Sequence, residues 1–387
     1  MSDSPFANYQ YEIYLQGMAG VKPDHPVSWA DLEAAAHDAL EPGPRGYLFG
    51  GACTEDTMRE NLAAFRRHRL VPRMLHDVET RTTARTVLGT EMPAPIMLAP
   101  VGVQSILHPE GELASARGAA TAGLVYTAST ASSFTMEEIA EAGGDADQWF
   151  QLYWPRGEEL AASLVKRAEA AGYKAIVVTL DTWLLGWRPR DLQEAYLPFL
   201  QGIGIANYLS DPVFRSTLPA PPEEDMGAAI GQFVGVFSNP AVTWEDLAFL
   251  REQTSLPIVL KGILSGADAE RAREAGVDGL IVSNHGGRQV DGAIATLDAL
   301  PEVVEAVGDD LAVLLDSGIR SGSDALKAIA LGADAVMLGR PYLWGLATDG
   351  EAGVARTLRS FLADFDLAMA LSGHRTIDEV GPAAVGQ

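Results

Sequence analysis

From about residue 94 to the end of the chain, short apolar runs alternate with longer stretches in which alanine and other apolar residues recur at helical spacing. A short apolar run bounded by glycine or proline predicts a strand buried on both faces. Strands alternating with helices predict βα units around a parallel sheet. Eight runs answer this description, at 95–100, 123–127, 148–153, 175–180, 257–261, 279–283, 311–316 and 335–338. Eight units close most simply into a (β/α)8 barrel of the TIM type, although the same alternation also builds an open, doubly wound sheet. The step Gly339-Arg340 and the helical tail after the last run favour the barrel.

Ahead of the barrel, residues 28–65 carry helical periodicity, with Ser28 placed as an N-cap and the turn Thr54-Glu55-Asp56 opening a further helix. The chain is therefore expected to be one domain over 1–387, with an N-terminal helical cap region at 1–93 and the barrel at 94–387. One connection breaks the rhythm. Residues 187–242, after the fourth run, far exceed an ordinary βα loop, and loops of that length are commonly lids or disordered segments. The insert holds seven prolines between Pro189 and Pro240, but also Tyr196, Phe199, Tyr208, Phe214, Phe233 and Phe237. Disordered segments are poor in aromatics. Its first half is expected to pack over the barrel mouth as a lid, and 219–235, with Glu223-Glu224-Asp225, to be mobile. Surface decoration or a contact between copies is the competing reading of the insert.

Composition narrows the function classes. Of 387 residues 47% are hydrophobic and 21% charged, as in an ordinary globular protein with a sizeable core. The formal net charge of -24 argues against nucleic acid or an anionic membrane as a partner, since both call for an excess of Lys and Arg. A few buried arginines could still set a positive local field for an anionic substrate. Cys53 is the single cysteine, so no internal disulfide forms, and no set of metal ligands surrounds it. The start, Met1-Ser2-Asp3-Ser4-Pro5, lacks the basic and apolar regions of a leader, and no apolar run reaches the length of a membrane span. A protein of the reducing cytoplasm, without a metal, is the expectation.

Candidate chemistry gathers where the runs end. In α/β barrels the C-terminal ends of the strands form one ring. Here that ring carries Gln151 and Tyr153, Thr179 and Asp181, Lys261, His285 and Arg288, and Asp316, from the third to the seventh run. In Ser283-Asn284-His285-Gly286-Gly287-Arg288-Gln289, an imidazole able to take a proton near neutral pH stands three residues from a guanidinium able to hold a carboxylate by two parallel hydrogen bonds. That pairing suits a small hydroxy acid. Taken singly, each residue reads more readily as a satisfied core or rim polar group than as a catalyst; it is the ring that points to a site. Asp316-Ser317-Gly318-Ile319-Arg320-Ser321-Gly322 and Leu338-Gly339-Arg340-Pro341 follow the seventh and eighth runs, where barrels frequently bind phosphate. Glycines let backbone N–H groups approach the oxygens, and Arg320 and Arg340 bring charge. Such a phosphate would belong to a cofactor lying across the mouth.

Together, Asp181-Thr182 with Arg188, Leu260-Lys261-Gly262, the His285 segment, Asp316-Ser317-Gly318-Ile319-Arg320 and Leu338-Gly339-Arg340-Pro341 resemble the FMN-dependent α-hydroxy-acid oxidase family, from Tyr47 to the C-terminus. Within it, the stretch from Thr179 to Asp191, the insert's Asn207-Tyr208 and Asp211-Pro212-Val213-Phe214, and Tyr11-Glu12-Ile13-Tyr14 are most similar to the lactate 2-monooxygenases. The resemblance implies FMN as cofactor, a small 2-hydroxy acid and O2 as partners, and a homo-oligomer, tetramer or octamer. It implies His285 as general base with Asp181 set against the imidazole, Arg188 and Arg288 clamping the substrate carboxylate with help from Tyr47, and Tyr153 on the substrate hydroxyl. Lys261 would stand by the flavin N1 and C2 carbonyl, and Ser129, Gln151 and Thr179 at the pyrimidine edge, with Ser283 also in the cofactor site. The backbone of Val101 and Gly102 would face N5, Asp316 the ribityl chain, and Gly318, Arg320, Gly339 and Arg340 the phosphate. Two departures stand out. Ala131 replaces a bulky aromatic of some relatives, opening the pocket or leaving room for an insert aromatic, and Gly102 replaces a common alanine. The implied reaction oxidises L-lactate or a close acid and retains pyruvate, which is oxidatively decarboxylated to acetate, CO2 and water. Release of the keto acid with hydrogen peroxide, or transfer of electrons to another acceptor, are the alternatives.

Overall fold

All eight runs become strands of one closed parallel barrel. In the computed structural model, which describes residues 6–386, they are β1 (Ile96–Leu98), β2 (Val125–Ser129), β3 (Gln148–Leu152), β4 (Ile176–Thr179), β5 (Ile258–Ile263), β6 (Gly279–Val282), β7 (Ala312–Leu315) and β8 (Ala335–Leu338). Each pairs with the next, and β8 pairs with β1 to close the ring, which excludes the doubly wound sheet. The second strand lies two residues nearer the mouth than its run predicts, so Ser129 ends it.

Alternation along the strands sorts the side chains into two layers. One parity, including Ile96, Leu98, Tyr126, Phe150, Ile176, Val178, Leu260 and Leu280, joins the main core beneath the surrounding helices. The other fills the barrel axis with Met97, Val125, Trp149, Val177, Val259, Ile281, Leu314 and Met337. Two residues further toward the mouth, the axial parity reads Gln151, Thr179, Lys261, Ser283, Asp316 and Gly339, and four residues after Val125 it reads Ser129. The polar ring is thus the continuation of the apolar axis. A hairpin of Arg85–Val87 and Thr90–Met92 closes the base: Val87 and Met92 join the axial core, and Trp149 Nε1 donates to Thr90 Oγ1 at 3.1 Å. The main cavity opens at the other end.

The cap region is helical over Trp29–Ala39, Pro42–Phe49 and Asp56–Arg67, with a further helix at Asn8–Met18. Ser28 is an N-cap, its Oγ accepting the Asp31 N–H at 3.1 Å. Residues 1–5, including the start read for a leader, lie outside the described residues. Among the described residues no helix is long and apolar enough to cross a membrane, and no cluster of His, Cys, Asp and Glu could hold a metal.

The insert departs from expectation in its second half. The segment 219–235, expected to be mobile, runs into the helix Met226–Phe237, opened by Asp225, whose carboxylate accepts the Ala228 N–H at 2.9 Å. Ala229, Phe233 and Phe237 recur at four-residue spacing, and Ala229 and Phe233 are fully buried. The Phe233 ring packs 5.5 Å from Phe199 and 4.9 Å from Tyr208, centroid to centroid. Aromatic rings bury on the order of 150–250 Å² each, which outweighs the disorder implied by the Pro- and acid-rich start of the segment. The first half is anchored as expected. Asn207, fully buried, donates to Thr130 O at 3.1 Å and Ser132 Oγ at 2.9 Å, and its Oδ1 accepts the Met136 N–H at 2.8 Å.

Candidate active site

The mouth encloses ≈ 1110 Å³, part of it open to solvent. Its walls include Tyr47, Val101, Gly102, Tyr153, Arg188, Lys261, His285, Arg288, Asp316, Gly318, Arg320, Gly339 and Arg340. Ser129, Gln151, Thr179 and Ser283, also expected in the site, lie buried within the barrel and are not part of this surface.

After β6 the chain makes a turn in which His285, Gly286 and Gly287 all have positive φ (58°, 65° and 75°). A non-glycine in this region costs about 1 kcal/mol or more, so neighbouring contacts must hold it. Asn284 and Asn61 exchange side-chain hydrogen bonds at 2.8 and 2.7 Å, pinning the turn to the helix Asp56–Arg67. Gly287 sits so close to that helix that a Cβ would lie 2.6 Å from Met58 N. The turn aims His285 Nδ1 at Asp181 Oδ1, 2.8 Å away, with Thr182 Oγ1 at 3.0 Å. Thr182 itself donates to Asp181 Oδ1 at 2.8 Å. These partners assign the proton to Nδ1 and leave Nε2 a free lone pair. Burial holds the imidazole below its ordinary pKa, against the opposing pull of Asp181. For Asp181, burial pushes the carboxyl up, but His285 and then Lys261 outweigh it and draw it down to about 2. The resting pair is a neutral imidazole against a carboxylate.

Two guanidiniums and two phenols face this pair. Arg188 donates to Arg288 O at 3.1 Å and Gln289 Oε1 at 2.7 Å. Burial, and then the charge of Arg288, pull Arg188 down to about 10. Arg288 lies over the Tyr47 ring, 4.7 Å from its centroid, and Nη1 donates to Tyr47 O and Gly50 O at 2.5 and 3.0 Å. Its Nη2 is buried without a hydrogen-bond partner, 3.8 Å from Asp191 Oδ2. Two neighbouring cations with donor capacity left over call for an anion. Burial, Tyr47 and Asp181 push the Tyr153 phenol up, keeping it a neutral donor.

On the other side of the mouth, Arg340 donates to Leu48 O, Gly286 O and Gly50 O at 2.9, 3.1 and 2.9 Å, and Arg320 stacks 5.2 Å above Trp344. Neither makes an ion pair with a carboxylate among the described residues. Burial and the charges of Arg288 and Arg320 bring Arg340 down to about 9. Gly339 caps the helix Arg340–Leu371 with open space beside its Cα, and Gly318 (φ 94°) approaches Asn61 so closely that a Cβ would lie 2.6 Å from Asn61 O. A helix N-terminus with two unneutralised guanidiniums has the chemistry to hold a phosphate. Between the two halves, Lys261 Nζ pairs with Asp316 Oδ2 at 2.9 Å and donates to Ser283 Oγ at 2.8 Å. Burial works against its charge, but Asp316 and Asp181 hold its pKa above the ordinary value.

Several positioning residues escape the sequence reading. Gln289 accepts from Arg188 and from the Gly186 N–H, and donates to Asp181 O and Leu184 O, both at 2.8 Å. It thereby stitches the loop after β4 to that after β6. Gln289 and Thr182 stand inside the motifs, but their partners lie about a hundred positions away. Asn61 carries no local signal beyond an amide on an amphipathic helix.

A neutral imidazole held by a carboxylate, two cations with spare donors and two guanidiniums without a carboxylate partner at a helix start, in one barrel mouth, form a site able to take a proton from a small acid and to hold a phosphate-bearing cofactor. The signature of the family described as FMN-dependent dehydrogenase matches residues 36–387. L-lactate oxidase of Lysinibacillus sphaericus (strain C3-41) is 45% identical over 367 residues, covering 95% of this chain and 94% of that protein. Human 2-hydroxyacid oxidase 1 is 42% identical over 358 residues, 92% of this chain and 95% of that one. A crystal structure of mandelate oxidase superposes with a TM-score of 0.83 at 42% identity, covering 93% of this chain and 98% of that chain. The chain belongs to the FMN-dependent dehydrogenase family; its cofactor is FMN and its activity is the oxidation of 2-hydroxy acids.

The residues present fit that cofactor. Ser129 Oγ donates to Gln151 Oε1 at 2.8 Å, which leaves Gln151 Nε2 buried with no partner, a donor awaiting an acceptor. Strand register sets Ser129 beside Gln151 and Thr179 beside Lys261, forming a polar edge for a heterocycle, while Arg320 and Arg340 await the phosphate.

Proposed function

We propose that the enzyme oxidises L-lactate or a close small 2-hydroxy acid with O2, and that the keto acid is retained beneath the insert and oxidatively decarboxylated. The observation that carries the reading is the neutral His285 held by Asp181, facing Arg188, Arg288 and Tyr153 under a roof of Phe199 and Phe237. Bound FMN supplies the two-electron acceptor that passes the electrons to O2. The remaining work falls to the chain. Arg188 and Arg288, with Tyr47, hold the substrate carboxylate and orient its α-carbon. Tyr153 donates to the substrate oxygen, and His285 Nε2 takes the proton while Asp181 stabilises the imidazolium. Lys261 would offset negative charge at the N1 and C2 carbonyl of a bound flavin. With FMN bound, Ser129, Gln151, Thr179 and Ser283 would serve the pyrimidine side, the backbone of Val101 and Gly102 would face N5, Asp316 would take the ribityl chain, and Gly318, Arg320, Gly339 and Arg340 would take the phosphate.

The insert supports a small substrate. Phe237 packs 5.2 Å from Tyr153 and 5.4 Å from Phe199, backed by buried Phe233 and Tyr208. The insert also packs against the backbone of the loop after β2. A Cβ on Gly204 would lie 3.0 Å from Ala131 O and 2.2 Å from Val103 Cγ1. Release of pyruvate with hydrogen peroxide is the second reading, favoured by the relative named L-lactate oxidase at 45% identity. Product stoichiometry separates the two. With FMN-loaded enzyme, L-lactate and air, acetate equal to the O2 consumed, with little free peroxide and no effect of catalase, supports retention. Pyruvate and peroxide in equal amounts establish release.

A further inference from the structure

Behind the loop that follows β1 lies a buried polar network that the reaction above does not use. The loop from Ala99 to Val103 lines the cavity. Gln104, Glu112, Ser115 and Tyr342 behind it are all 0% exposed and Tyr126 is 1% exposed. Tyr342 Oη donates to Ala99 O at 3.1 Å, and Gln104 Nε2 donates to Val101 O at 2.9 Å, with the Tyr126 and Tyr342 hydroxyls at 2.9 and 3.1 Å. Ser115 donates to Gln104 Oε1 at 2.6 Å, which fixes the orientation of the amide and keeps its N–H groups on the loop side. Glu112 Oε1 accepts the backbone N–H groups of Gln104 and Ser133, at 2.9 and 3.0 Å, joining this loop to the one after β2.

The arrangement is costly. No cation pairs with Glu112 among the described residues, its Oε2 is buried without a partner, and burial pushes the carboxyl up to about 7 against the pull of the two backbone N–H groups. A fully apolar filling would avoid the desolvation of these groups. What the network achieves is geometric. Two successive outward carbonyls of one loop, Ala99 and Val101, are each fixed by a rigid buried donor, and the loop cannot relax toward the β2 side. There a Cβ on Gly102 would already lie 2.5 Å from Ala131 O. Tyr342 also stands two residues after Arg340, so the same helix start that carries that guanidinium holds the loop.

We propose that Gln104 and Tyr342, with Glu112 holding the Gln104 backbone, are positioning residues that set the distance of the Val101–Gly102 backbone from the flavin and thereby tune its reduction potential. The inference rests on the assignment of that backbone to the flavin face. Buried donors of this kind act through a fixed dipole rather than through contact with substrate.

The test is the two-electron potential of FMN bound to Gln104→Met, Tyr342→Phe, Glu112→Leu and Glu112→Gln, together with their thermal midpoints. Tyr173→Phe is the control, since its hydroxyl donates to Met136 O at 2.8 Å and to no group of this loop. The first three are expected to change the reduction equilibrium at least tenfold, about 30 mV for two electrons. Glu112→Gln keeps an acceptor for both N–H groups and is expected to stay within threefold of the wild type. Tyr173→Phe is expected to lower the midpoint without moving the potential. Potentials that follow thermal stability across all five variants, or that stay unmoved in Gln104→Met and Tyr342→Phe while FMN remains bound, overturn the inference. A wild type that holds FMN but is not reduced by lactate overturns instead the assignment of substrate made above.

Discussion

Replacing Asp181 with asparagine removes the charge facing His285 while leaving an oxygen to accept the Nδ1–H bond. The size of the effect follows from the carboxyl's own displacement. Its pKa falls from 3.8 to about 2 although burial opposes the shift. That is just under two units, or ~2.5 kcal/mol at about 1.36 kcal/mol per unit. Most of this favourable interaction is with His285, the nearest cation once it is protonated, and by reciprocity the imidazolium gains a comparable amount from the carboxylate. If proton transfer to His285 lies in the rate-limiting step, losing ~2.5 kcal/mol slows that step by nearly two powers of ten. The assay is anaerobic mixing of FMN-loaded Asp181→Asn with L-lactate, following loss of the oxidised flavin absorbance. A limiting rate roughly fifty- to a hundredfold below wild type, with FMN affinity unchanged, is the expected result. A loss of less than threefold would refute the argument that the Asp181 charge stabilises the protonated base.

The other predictions concern the cofactor, the roof and acid stability. Arg340→Met is expected to weaken FMN binding by roughly ten- to a hundredfold, the ~1.5–3 kcal/mol of a charged hydrogen bond, while riboflavin, which lacks the phosphate, binds as before; equal losses for both ligands would place the phosphate elsewhere. Phe237→Ala is expected to raise kcat/KM for mandelate relative to lactate at least tenfold, and an unchanged ratio would remove Phe237 from the substrate wall. His285 is held below its unfolded value of 6.5, so the unfolded chain binds the proton first, and stability is lost as pH falls from 6.5 toward the lower folded value. Asp181 adds to this only in the window between 3.8 and about 2. Thermal midpoints of His285→Gln should therefore fall less between about pH 7.5 and about pH 5.5 than those of the wild type, and equal declines would mean that other groups set the acid response.

Some of this site was legible before any coordinates because a barrel strand obeys a simple rule. Burial on both faces makes each strand an uninterrupted apolar run, and the inward parity that packs the axis continues into the mouth. Trp149 leads to Gln151, Val177 to Thr179, Val259 to Lys261 and Leu314 to Asp316. The glycines and arginines after β7 and β8 were legible for a similar reason, since backbone conformation and charge at a helix start are local properties. The order of the helix Met226–Phe237 is not legible in the sequence, because its proline-rich, acidic approach is a strong local signal of disorder. What orders it is the pairing of Phe233 with Phe199 and Tyr208, contacts that span several turns of chain.

By itself, then, the order of residues determined the barrel, the identity of the polar ring and the glycines and arginines that follow β7 and β8, because these depend on periodicity and on chemistry within a few positions. Only the tertiary structure decided which groups are partners and in what state they rest. Thr182 and Gln289 acquire their roles across about a hundred positions, and Asn61 holds the His285 turn from the cap region. Arg288 spends its Nη1 on the Tyr47 and Gly50 carbonyls and keeps Nη2 in reserve. The neutral imidazole and the ionised Asp181 are products of burial and distance, and neither quantity exists until the chain has closed around them.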